Sequence, residues 1–225
     1  MSSYIHEHKA TLVDIGVVLA LTTIAIAVVV SFQSSLKSLT GFPSILWTAL
    51  AQFSVAGLGP VIVMLARRER FEQYGLVKEN VAKSLSLGML CIAAYVLYVF
   101  VSQGTIEWMP FRMVTITRPA LQLQVPLNVL GILLIAASWG FFEGFTLLFA
   151  SKKIDSLAHR ANPFLKPGPL VVVVLNILVH LSTGHTIDAS WIASAAVIYV
   201  VLIIPELTRN SWGSVLIFFA LWNAM

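Results

Sequence analysis

Uncharged, apolar runs of about 15 to 25 residues follow one another along this chain, and a water-soluble core could not bury them all. Of 225 residues, 58% are hydrophobic and only 11% charged, against roughly 25% charged in a soluble domain. The solvent for this surface is a bilayer. Backbone groups in lipid must pair within their own segment, so the runs are expected to be helices. They fall near 11–33, 44–66, 84–103, 125–150, 169–184, 189–204 and 211–225. The expected fold is all-α, a polytopic transmembrane helical bundle of about seven spans, with six to eight compatible with the same runs. It forms a single integral membrane domain over 1–225. The fifth and seventh runs are short for a full crossing, which tilt, local thinning or shielding by neighbouring helices would accommodate.

The first residues, MSSYIHEHKATLVD, mix acidic and basic groups, and the apolar run after them has no small-residue cleavage site, so a retained span is expected rather than a signal peptide. The single cysteine, Cys91, lies inside an apolar run and reads as a packing residue. A net charge of +4 raises the question of nucleic acid, but the basic residues sit in short loops between spans. Arg67, Arg68, Arg70, Lys78 and Lys83 occupy one such loop, and Lys152, Lys153, Arg160 and Lys166 another two spans later. Both are expected to face the cytoplasm together with Lys9 and Arg209, leaving Lys37, Arg112 and Arg118 on the other side. The N-terminus is then cytoplasmic and the C-terminus outside. Segment 105–124, with Trp108, Phe111, Arg112 and several prolines, reads as interfacial, either a connecting loop or a lid over an external opening. Gly59-Pro60 is the one strong break within a span.

A carboxylate at the centre of a spanning helix costs about 2.5–3.5 kcal/mol on insertion scales, so it normally faces a cavity or a partner. Glu143, in SWGFFEGFTLLFA, lies about two turns from the nearer end of the fourth run. Asp14 is closer to the end of its span and reads as a charge at the headgroups. His180, in LNILVHLSTGH, has Asn176 four residues earlier on the same helical face, and Asn223 lies at comparable depth in the last run. Glu143, His180 and Asn223 are therefore expected near the membrane middle, able to share one polar cavity. Interhelical hydrogen bonds of roughly 0.6 kcal/mol each are the structural alternative for the same residues. Gly140 and Gly144, four apart, would let another helix approach closely in either case.

From about residue 71 to the end, this order of features resembles the CAAX protease and bacteriocin-processing family of intramembrane glutamic endopeptidases. That family's pattern is a Glu-Glu pair followed by Arg, then Phe-xxx-His, then His-xxx-Asn or Asp. The matching positions are Glu143, His180 and Asn223, while FEQYGLVKENVAKSLSLGML is similar to the amphipathic leader of the core and TRNSWGSVLIFFALWN to its closing helix. Gly144, Leu148, Asn176 and Phe219 stand where the second glutamate, the arginine, the phenylalanine and the last histidine belong.

The resemblance implies a metal-independent peptidase acting on a membrane-associated or prenylated peptide, in the plasma membrane of a prokaryote. Glu143 and His180 would activate water and Asn223 would stabilise the oxyanion, with Asn176 and His185 in support. No cofactor is expected; membrane lipids and a hydrophobic or prenylated peptide are the expected partners, and nucleic acid is not. Two alternatives keep the same residues: a degenerate family member that binds a peptide or membrane partner, and a small transporter or proton relay. A retinal protein is disfavoured because no lysine lies within an apolar run, and a metal enzyme because His180 and His185 are five apart with Glu143 the only acidic ligand. A cysteine peptidase lacks a base near Cys91.

Overall fold

The computed structural model describes residues 2–36, 38–158, 162–182 and 189–224, and among these the regular elements are all helical. In chain order they are α1 (Ser2–Leu36), α2 (Gly41–Ala56), α3 (Leu58–Arg67), α4 (Val81–Gln103), α5 (Thr117–Leu121), α6 (Leu127–Ile135), α7 (Glu143–Ser156), α8 (Pro167–Ser182), α9 (Ala189–Thr208) and α10 (Trp212–Ala220). A π-helical stretch, Ala136–Phe142, joins α6 to α7 without a break, and single 3-10 turns occur at Phe71–Tyr74 and Pro163–Leu165.

Among the described residues, four segments are long and apolar enough to cross a bilayer: His8–Phe32, Val81–Gln103, Leu127–Ser156 and Trp191–Thr208. The pair α2 and α3, bent by 56° at its break, makes a fifth if it is one span. The expected runs at 169–184 and 211–225 correspond to α8, of 16 residues, and α10, of 9, both below the roughly 20 residues of an upright crossing.

The break in the second run falls at Gly57, two residues before the Gly59-Pro60 pair that marks it in the sequence. A Cβ at Gly57 would meet the Phe53 ring at 2.8 Å and Phe142 at 2.9 Å, so only glycine fits. Pro60 sits in the first turn of α3, where the N–H it lacks has no intrahelical role. Carbonyls freed at such a break need partners in lipid. Thr22 Oγ1 donates to Val55 O at 3.1 Å, and Thr146 Oγ1 donates to Ala56 O.

The chain divides into two compact units. One comprises Met1–Leu12, Arg70–Ile106 and Leu147–Ile217. Here α9 packs against α4, α8 and the Pro163–Leu165 turn, and its Ile198, Val201, Leu202 and Ile204 are all but fully buried. Asn210, also fully buried, is the hub of this unit. Its Nδ2 donates to Val77 O at 2.8 Å and Glu79 O at 2.7 Å, while its Oδ1 accepts from Trp212 N at 2.9 Å and caps α10. The segment before α4 is thereby tied to the turn before α10.

The other unit comprises Val13–Glu69, Glu107–Thr146 and Phe218–Met225. Its core gathers Ile45, Phe111, Val114, Ile116, Ala120 and Ile135. Four of these six belong to the 105–124 segment, which is therefore a packed part of the unit as well as a connection. Trp108, 50% exposed, and Met113, 63% exposed, keep apolar side chains on its outer face. Asp14 is paired: its buried carboxylate accepts from Arg67 Nε at 2.8 Å.

Candidate functional site

Glu143 is the first residue of α7, directly after the π-helical stretch. A π-helical turn inserts a residue into the α repeat and re-aims the side chains beyond it, and such turns recur at functional sites. The α2 helix packs along this stretch, with Ser138 Oγ donating to Ala49 O at 3.0 Å and the Phe53 and Phe142 rings edge to face at 4.7 Å. One turn of α2 beyond Ala49, Gln52 Nε2 donates to Glu143 Oε2 at 3.0 Å. The other oxygen, Oε1, accepts from Trp222 Nε1 at 2.8 Å. Each carboxylate oxygen thus has an N–H donor, and each keeps a second lone pair.

Aromatic rings wall the site. Phe218 is buried and lies 5.4 Å from the Trp222 ring between centroids. A Cβ at Gly144 would meet the Phe218 ring at 2.5 Å, so no larger residue fits there unless that ring moves. Phe219 packs edge to face against Phe111 at 6.1 Å, and a Cβ at Gly140 would meet both rings at 3.0 Å. What Gly140 and Gly144 accommodate most closely is these rings.

The turn after α10 is fastened to the 107–113 segment. Trp108 Nε1 donates to Ala220 O at 2.6 Å, Met113 N to Asn223 O at 2.9 Å, and Met109 N to Ala224 O at 3.3 Å. Asn223 adopts a positive φ of 60°. Its Nδ2 is buried and has no hydrogen-bond partner among the described residues.

Glu143 and Asn223 belong to the same unit, joined through Trp222. His180 and Asn176 are helical residues of α8, in the other unit; the His180 side chain lies outside the described residues, and so does all of His185. Among the described residues no group of three or more His, Cys, Asp or Glu could hold a metal ion. Gln52 and Trp222 were not singled out in the sequence. Gln52 carries the only amide in the 44–66 run, and a side-chain amide within a span is itself a signal of an interhelical bond. Trp222 has no such signal, because an aromatic residue near the end of an apolar run reads as part of an interfacial belt. Comparison with family models, with curated proteins and with solved structures finds no match for this chain.

Proposed function

We propose that this chain is a membrane-embedded binding protein of the intramembrane glutamic peptidase type, which holds a hydrophobic or prenylated peptide at Glu143 without hydrolysing it. The observation that carries this reading is the engagement of both Glu143 oxygens by Gln52 and Trp222. A general base needs a partner that can take up its proton, and neither the Gln52 amide nor the Trp222 indole N–H can do so. The packing supports the same conclusion: Gly144 and Phe219, at the positions of the family's second glutamate and last histidine, are both packed against phenylalanine rings. A pinned carboxylate with one spare lone pair on each oxygen remains a good acceptor for peptide N–H groups.

The topology that goes with this function has a cytoplasmic N-terminus, an external C-terminus and a place in a prokaryotic plasma membrane. Its seven crossings include α8 and α10 as short ones. Hydrolysis is the second reading, favoured by the buried Asn223 Nδ2, a donor without a partner among the described residues and of the kind an oxyanion requires. In that case Glu143 activates water.

Incubating the detergent-purified protein with farnesylated and with unmodified hydrophobic peptides separates the two. Binding without cleavage, weakened in Glu143→Gln, is the expected result. Cleavage by the native protein that Glu143→Gln abolishes would replace the binding reading with the hydrolytic one. Neither binding nor cleavage would remove both.

A further inference from the structure

Within the unit that contains α4 and α9, a cavity of about 330 Å³ opens between these two helices, lined by none of the residues that hold Glu143 and unused by the function proposed above. Leu87, Leu90, Cys91 and Ala94 form one wall, spaced three and four apart on a single face of α4. Tyr199, Val200, Ile203, Ile204 and Leu207 form the other on α9, and Phe164 closes the side, with Tyr199 Oη donating to Phe164 O at 2.6 Å. The lining is apolar and, apart from Phe164, lies within two segments long and apolar enough to cross a membrane, and Leu90, 66% exposed, leaves the cavity open to its surroundings. At about 1.5 Å per residue the groove runs roughly 12 Å along the helices.

One end of the groove is basic. Asn80 Nδ2 donates to Thr208 O at 2.9 Å, which brings the start of α4 beside the end of α9. Lys83, exposed and one turn before Leu87, donates to Leu207 O at 3.3 Å and has further N–H groups to offer. Arg209, two residues after Leu207, is exposed, as is Lys78 in the segment leading into α4. Of the nearby acids, Glu206 is already taken up by Lys166, and Glu79 is left against three cations.

We infer that this groove is a binding site for an anionic phospholipid, with one acyl chain lying between α4 and α9 and the headgroup phosphate at Lys83 and Arg209. An apolar slot alone would accept any lipid chain. The basic mouth selects by headgroup, at a strength of about 1 kcal/mol per basic residue near a membrane surface.

The test is native mass spectrometry of the full-length protein in detergent, titrated with phosphatidylglycerol and with phosphatidylcholine of the same chains. One phosphatidylglycerol is expected to be retained with a preference of roughly tenfold or more over phosphatidylcholine. Lys83→Ala with Arg209→Ala should abolish the preference, and Ala94→Trp, which fills the groove from an exposed position, should abolish retention with both cations intact. As a measurement that needs no variant, phosphatidylglycerol should slow alkylation of Cys91, the only cysteine, by a hydrophobic maleimide. Equal retention of the two lipids, unchanged retention in Ala94→Trp, or displacement of the lipid by a farnesylated peptide at equal concentration would each overturn the assignment.

Discussion

Glu143 shows what a single residue reveals and what it hides. A carboxylate inside an apolar run is expensive, so its importance is legible in the sequence without any partner in view. Its partners are not, because Gln52 and Trp222 stand 91 and 79 residues away along the chain. Trp222→Phe keeps a ring against Phe218 while removing the N–H, and should cost about 1–3 kcal/mol, the usual loss for an acceptor left unsatisfied. A lower midpoint of thermal unfolding in detergent would register it. Glu143→Gln introduced on top of Trp222→Phe should then cost less than it does alone; strictly additive effects would mean that the hydrogen bond carries no coupling energy. Asp14 teaches the same lesson more simply, since its place near the start of the first apolar run was readable but its pairing with Arg67 was not.

At the scale of elements, the apolar runs located most helices, and the irregularities located the chemistry. Nothing in AASWGFF marks a π-helical stretch, because its hydrogen-bond shift depends on the α2 surface packed along it. Deleting Ala137 removes the one residue that the wider turn accommodates, so the stretch should return to α-helical pitch with Glu143 still facing Gln52 and Trp222. Helix content by circular dichroism should stay unchanged, and Trp222→Phe and Gln52→Ala should destabilise the deletion variant about as much as the native protein. If both become neutral there, the deletion has turned Glu143 away from its partners. Asn210 is the other element-scale joint. It reads as an ordinary loop residue, yet its fully buried side chain makes three hydrogen bonds that fasten the segment before α4 and the start of α10. Asn210→Ala should cost roughly 2–4 kcal/mol, more than any one of these bonds, and denaturant unfolding of the purified protein would measure it. An effect below 1 kcal/mol would show that water or a neighbouring group replaces the amide.

For the whole molecule, the proposed topology makes a prediction independent of any activity. In a Cys91→Ala background, a cysteine at Thr105 should react with an impermeant maleimide on intact cells, and one at Lys78 only after permeabilisation. The reverse pattern would invert the molecule in the membrane. By itself the sequence determined the helical class, the position of the apolar segments long enough to cross a membrane and the one carboxylate worth explaining. These follow from composition and local periodicity, which are properties of short windows. Only the tertiary structure decided that the second run bends at Gly57, that the 105–124 segment packs into a core, and that Gln52 and Trp222 hold Glu143. Each of those depends on which distant surfaces meet, since a glycine breaks a helix where a ring presses on it and a donor serves the acceptor that packing brings within reach.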